Sequence, residues 1–209
     1  MKIKVCGITE PANMEAVLDL GVDHIGWIMY KDSPRNALTA ADILSTVSRN
    51  DCQVVGVFVN TSERTIADAI SRWQLDLVQL HGTESNLLCQ KVGKLVPVIK
   101  AIHISAPADL DKCLHYPDAG MFLLDTKTAA WGGSGQTFNW SWLERYAAPQ
   151  PFFLSGGIGP GMAKEIAALR HPQLTGIDLN SRFEDAPGHK NAALLATFIN
   201  DLKASTHVS

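Results

Sequence analysis

Several features that would direct the reading elsewhere are missing. No two of the four cysteines, Cys6, Cys52, Cys89 and Cys113, have the C-x-x-C spacing of a zinc or dithiol site. An even cysteine count points to disulfides only in a secreted chain, and the opening Met1-Lys2-Ile3-Lys4-Val5-Cys6 has no signal-peptide apolar stretch. No apolar run is long enough to cross a bilayer. A surplus of positive charge is also absent: 18 Lys and Arg against 21 Asp and Glu give a net charge of −3. That removes any general attraction for nucleic acid or an anionic membrane surface. The expectation is a reduced, cytoplasmic protein with no membrane or nucleic-acid partner. An anionic ligand must then be held by local cations or backbone N–H groups.

What is present is enough to build a core. Hydrophobic residues make up 46% of the 209 and charged ones 19%, which suits one ordered domain. Eight short apolar runs, at 3–6, 23–29, 54–59, 75–80, 96–101, 121–125, 152–154 and 176–179, are rich in Val, Ile and Phe. Such runs favour buried parallel strands. Between them lie stretches that read as helices. Residues 11–20 start on Pro11 and stop before Gly21. Thr39 is placed to cap 40–48, and Thr61 or Ser62 to cap 63–73. Further helices are expected at 85–92, 108–115, 140–146, 160–170 and 189–202.

Strict alternation of eight strands with eight helices predicts a single-domain α/β fold, the (β/α)8 TIM barrel, over residues 1–203. An open sheet fits the pattern alone. Residues 204–209 are expected to fray. The longest irregular segment, 126–139, contains Trp131-Gly132-Gly133-Ser134-Gly135 and has the length of a lid or binding loop.

Active sites of such barrels lie at the C-terminal ends of the strands. The residues at those exits are Cys6-Gly7-Ile8-Thr9, Ser33-Pro34-Arg35, Asn60, His81-Gly82, Lys100, Asp125-Thr126, Ser155-Gly156-Gly157 and Asp178 with Asn180-Ser181. The exits of strands seven and eight, with Gly156-Gly157 and Asn180-Ser181-Arg182, stand where barrels often hold a phosphate. Ordinary small-residue turns are the alternative.

These exits, in order, resemble the phosphoribosylanthranilate isomerase family. The matching segments are Lys4-Val5-Cys6-Gly7-Ile8-Thr9, Ser33-Pro34-Arg35, Val55-Gly56-Val57-Phe58-Val59-Asn60 and Val78-Gln79-Leu80-His81-Gly82. Leu124-Asp125-Thr126, Gly132-Gly133-Ser134-Gly135, Ser155-Gly156-Gly157-Ile158 and Asp178-Leu179-Asn180-Ser181 complete the set. The chain looks like the free-standing form, since Met1 leads straight into the first strand.

The resemblance implies an Amadori rearrangement of N-(5-phosphoribosyl)anthranilate in tryptophan biosynthesis. One acid opens the furanose ring and one base removes the C2 proton, and no metal or other cofactor is required. By the same resemblance Cys6 is the base; alone, it reads as a small buried hydrophobe. A free thiol has a pKa of about 8.5, so a small downward shift is expected to populate the thiolate. Asp125 is the implied acid and needs burial to raise its pKa; a turn-capping Asp is the bland alternative. Arg35 is expected to pair with the anthranilate carboxylate, with a solvated surface arginine as the competing fate. His81 lines the anthranilate side or is a satisfied structural histidine. Asp178 holds a ribose hydroxyl or ends a strand. Gly156, Gly157, Asn180, Ser181 and Arg182 form the phosphate group. Cys52, Cys89 and Cys113 read as structural.

Strand order gives an independent expectation. In a closed barrel, strands seven and eight separate strand six from strand one, so the phosphate loops fall between Asp125 and Cys6. The sequence departs from the family pattern at Met29, at Arg182, where a small residue is usual, and at Asn191, where Asp is common. Two rival functions remain: the histidine-pathway isomerase, which uses Asp where Cys6 stands, and a non-catalytic phosphate-binding barrel. A monomer is expected, with a homodimer as the alternative.

Overall fold

Alternating residues of a strand face opposite sides, and here both sides are apolar. That pattern suits a sheet wrapped around one core and covered by another. The computed structural model describes residues 1–126 and 137–206. Its eight parallel strands are β1 (Lys2–Cys6), β2 (His24–Ile28), β3 (Gln53–Phe58), β4 (Leu77–Leu80), β5 (Val98–Ile104), β6 (Met121–Thr126), β7 (Phe152–Leu154) and β8 (Leu174–Leu179). They close in sequence order, with β8 pairing back to β1. This is the (β/α)8 barrel.

Two packed regions result. One contains Cys6, Val55, Val57, Leu77, Ile99, Ala101, Leu123 and Phe153, drawn from six strands and filling the barrel interior. The other packs the outward residues, such as Val5, Ile25, Phe58, Leu80 and Leu124, against the surrounding helices. Leu123 points inward, so Asp125 two residues on shares its face; Ala101 and His103 are related in the same way. The interior rows therefore carry polar groups up to the C-terminal mouth.

The helices are α1 (Pro11–Leu18), α2 (Ala41–Leu44), α3 (Glu63–Trp73), α4 (Asn86–Val92), α5 (Ala163–Ala168) and α6 (Ala192–Thr206). Ser62, not Thr61, caps α3 by accepting from the Thr65 N–H at 3.2 Å. Several expectations need correction. Thr39 does not cap α2, which starts after Ala40 without a side-chain cap. The expected helix at 40–48 shrinks to a single turn. Its hydroxyls explain this: Ser45 donates to the Asp42 carbonyl at 2.8 Å and Thr46 to that of Ile43 at 2.7 Å, competing with the helical ladder. Pro107–His115 and Trp140–Arg145 are 3-10 helices; short amphipathic segments of the two kinds share a similar spacing.

At the end of the chain, 189–202 is not one helix. His189–Lys190 form strand β10, paired antiparallel with β9 (Glu184–Ala186). Asn191 then caps α6, its Oδ1 accepting from the Leu194 N–H at 2.8 Å. Capping needs only an oxygen acceptor, so Asn serves where Asp is common. The helix runs to Thr206, so residues 204–206 are helical. The expected lid and its Gly132-Gly133-Ser134-Gly135 segment lie outside the described residues.

Candidate active site

The site begins with two basic residues buried under its floor. Lys4 lies two residues before Cys6 on the inward face of β1. It is completely buried and donates to Asp178 Oδ1 at 2.8 Å. Burial works against the Lys4 charge, but Asp178 and Cys6 outweigh it and hold the ammonium above its ordinary pKa. Cys6, 3% exposed, ends the same inward row. Burial pushes its thiol up, while the Lys4 and Lys190 ammonium groups pull it part of the way back. The expected small downward shift is therefore not what the structure shows: desolvation wins, and Lys4 limits the damage. The other cysteines stay apart. Burial pushes Cys89 up to about 11 and Cys113 up to about 12, and Cys52 up to about 12.

Gly7 follows Cys6 with φ +82°, and a Cβ there would lie 2.9 Å from the Arg35 side chain. Glycine thus lets Arg35 lie across the end of β1. Arg35 is not a solvated surface residue. Its Nε donates to both Glu184 oxygens at 2.9 Å, and its Nη2 lies 2.8 Å from Glu184 Oε2. Glu184 also receives Lys190, whose ammonium donates to Asn180 Oδ1 at 2.7 Å. Burial pushes Glu184 up, yet its two cations prevail and hold it below the usual carboxylate range. Two cations around one carboxylate leave this cluster with one excess positive charge.

Across the mouth, Asp125 ends the inward row of β6, with its side chain about one-fifth exposed (21%). His81, just past β4, places Nε2 3.4 Å from Asp125 Oδ2. Its Nδ1 lies 2.7 Å from the Gln79 amide nitrogen, which comes from the same strand and is 1% exposed. His81 is thus both held in place by its neighbours and open to the mouth. His103, at the inward end of β5, tilts against the His81 ring with centroids 5.1 Å apart. Burial lowers its pKa.

The exits of β7 and β8 lie between Asp125 and Cys6 in the closed barrel, as strand order predicts. Gly156 and Gly157 have φ +83° and +69°. A Cβ on Gly156 would sit 2.4 Å from the Thr126 backbone nitrogen, so only glycine fits this turn. Beyond β8, Ser181–Phe183 form a 3-10 helix. Arg182 reaches back over the β7 loop, its Nε 2.5 Å from where a Gly159 Cβ would be. Asn180 belongs partly elsewhere, since its side-chain oxygen is engaged by Lys190.

Lys100 must be moved. Taken as a strand exit, it lies inside β5 and faces outward, 1% exposed. It donates to the carbonyls of Leu80 at 3.1 Å and Gly82 at 2.8 Å and to Glu84 Oε2 at 2.8 Å, bracing the turn that carries His81. The residues missed by sequence reasoning are Lys4, Gln79, His103, Glu184 and Lys190. A signal existed for Lys4 and Gln79: each lies two residues before a site residue on the same strand face.

Residues 3–201 match the family model described as N-(5'-phosphoribosyl)anthranilate (PRA) isomerase. An N-(5'-phosphoribosyl)anthranilate isomerase of Phocaeicola vulgatus is 40% identical over 97% of this chain and 98% of its own length. The crystal structure of phosphoribosyl anthranilate isomerase from Thermotoga maritima superposes with a TM-score of 0.87. It is 34% identical, with 98% of this chain and 99% of that one covered. A further crystal structure of a phosphoribosyl anthranilate isomerase, in complex with reduced 1-(o-carboxyphenylamino)-1-deoxyribulose 5-phosphate, has a TM-score of 0.84 at 31% identity and covers 98% and 99% of the two chains. The chain belongs to the N-(5'-phosphoribosyl)anthranilate isomerase family, and its activity is the aldose–ketose isomerisation of that substrate in tryptophan biosynthesis.

Proposed function

We propose that Cys6 is the general base and Asp125 the general acid of this isomerisation. The observation that carries the assignment is their placement. Each ends an inward row, on β1 and β6, and the two loops suited to a phosphate lie between those strands. A phosphoribosyl group anchored there projects its sugar between thiol and carboxyl. Asp125 gives its proton to the furanose ring oxygen as the C1–O bond breaks, leaving an iminium between C1 and the anthranilate nitrogen. Cys6, as thiolate, takes the C2 proton, and the C2–H electron pair becomes the C1–C2 double bond of an enolamine. Protonation at C1 with loss of the hydroxyl proton gives the ketose. The chemistry is proton transfer throughout.

The remaining residues divide the substrate between them. Backbone N–H groups of Gly156, Gly157, Asn180 and Ser181, with Arg182 above the β7 loop, hold the phosphate. Asp178, fixed by Lys4, meets a ribose hydroxyl. Arg35 offers the anthranilate carboxylate its Nη1 edge, since Glu184 takes the other. The excess positive charge of the Arg35–Glu184–Lys190 cluster favours that anion. His81 borders the ring beside Asp125.

Loss of substrate fluorescence tests the assignment of the two residues. Purified protein should turn over, and Cys6→Ala and Asp125→Asn should each lower kcat by roughly 10²–10⁴. Near-normal turnover by Cys6→Ala removes it as the base. Among the described residues no helix is long and apolar enough to cross a membrane, and we place the enzyme in the cytoplasm. We take it to act as a monomer, because its large exposed apolar side chains, such as Ile43, Leu87 and Leu114, come from separate elements; a mass measurement in solution tests this.

A further inference from the structure

We propose that His81, His103 and Asp125 form a binding site for a divalent transition-metal ion of the zinc type, and that occupation of this site blocks the isomerase. The three come from the exits of the adjacent strands β4, β5 and β6. One ligand atom from each lies within 4.8 Å of the others. Two imidazoles and one carboxylate are a borderline-soft donor set that suits zinc, and three protein donors leave a coordination position open.

The spacing fits an ion better than it fits a hydrogen bond. His81 Nε2 and Asp125 Oδ2 are 3.4 Å apart, beyond the usual N–H···O range of about 2.7–3.2 Å. Ligands bound tetrahedrally at about 2.0–2.1 Å are separated by roughly 3.3–3.4 Å. The pair is thus already set at one edge of such a tetrahedron. His103, tilted 59° to His81, offers a ligand atom within 4.8 Å of the other two, and a side-chain movement on the order of 1.5 Å brings it to the same spacing.

His81 also has the outer support that metal-binding histidines require. His81 Nδ1 is held by Gln79, and this contact supplies an independent observation. The Gln79 oxygen is buried without a hydrogen-bond partner while its nitrogen faces His81. A metal on Nε2 demands a proton on Nδ1. Turning the Gln79 amide over lets its oxygen accept that proton, so Gln79 can hold His81 in the metal-binding tautomer. Amide oxygen and nitrogen exchange places by a simple flip.

Blocking rests on the reading of Asp125 as the acid: a carboxylate bound to the ion cannot deliver a proton to the ring oxygen. The site itself does not rest on that reading. His103 has no part in the isomerisation described above, which makes it the residue to change.

The test uses the full chain, stripped with EDTA and dialysed, then titrated with Co²⁺ as a spectroscopic probe. The expected result is one ion per chain, with an intense visible d–d band and competition by Zn²⁺. His103→Val should weaken binding at least tenfold, with Zn²⁺ inhibition read against its own EDTA-treated turnover. Zn²⁺ should stop turnover of the parent, EDTA should restore it, and His103→Val should resist. Absence of the band, equal binding by His103→Val, or a near-ultraviolet thiolate charge-transfer band that places the ion on a cysteine overturns the site. Co²⁺ binding that depends on His103 but leaves turnover untouched overturns the block, and with it the role of Asp125 as acid.

Discussion

Replacing Lys4 by Met tests whether the buried ammonium under Cys6 does more than hold the barrel together. Lys4 and Asp178 are 2.8 Å apart and almost completely buried. At an effective dielectric constant of about 20, their attraction is about 6 kcal/mol, and desolvation of two ions offsets much of it. Removing the cation alone leaves a buried carboxylate without its partner, which costs roughly 3–5 kcal/mol. In a chain of this size, that lowers Tm by roughly 6–20 °C. The double variant K4M/D178N leaves no charge behind and should recover part of the loss. The catalytic consequence is separate. Lys4 is the main group opposing the burial that raises the Cys6 thiol, so without it the thiol titrates at still higher pH. The rising limb of kcat/KM against pH, read from substrate fluorescence below the melting transition, should move upward in Lys4→Met. It should stay close to the parent in Lys4→Arg. An unmoved limb in Lys4→Met, with activity falling only as far as folding does, refutes the argument.

Two further outcomes follow from buried charges. Glu184→Gln leaves Arg35 and Lys190 facing each other without their shared carboxylate, so KM should rise more than kcat falls and stability should drop by about 3 kcal/mol or more; an unchanged KM means that Arg35 is not aimed by Glu184. His24, buried against Phe153, is pulled from 6.5 to about 4 by burial and by the nearby Lys4. The unfolded chain therefore takes up a proton in this window that the folded chain does not. Stability contributed by neutral His24 is complete above about pH 6.5 and lost progressively toward pH 4, by about 3 kcal/mol in all. Urea unfolding at pH 7 and pH 4.5 should show a smaller acid loss in His24→Leu than in the parent; equal losses would remove His24 from the account.

The strands were legible because burial on both sides selects continuous Val, Ile and Phe runs, and those runs reached the right exits in the right order. The same rule misplaced the end of β5. Its apolar run breaks at polar His103, two residues past Ala101, so the pattern points to Lys100 as the exit and gives no sign of the true mouth residue. Lys100 shows why: a lysine facing outward can be buried if Glu84 and two carbonyls receive it. Glu184 and Lys190 escaped notice for another reason. They meet through a hairpin of two very short polar strands that no periodicity marks. Helix length failed where side chains intervene, as the Ser45 and Thr46 hydroxyls do after α2. The phosphate loops were visible as glycines, but the positive φ that makes Gly156 obligatory is a property of the folded turn.

The division of labour between Cys6 and Asp125 is tested most directly by isotope effects on their variants. With substrate deuterated at C2 of the ribose, Cys6→Ser should be slowed by the deuterium, because removal of that proton becomes its slowest step. Asp125→Asn should be indifferent to it, being limited by ring opening. A full isotope effect in Asp125→Asn and none in Cys6→Ser would contradict the assignment of base and acid.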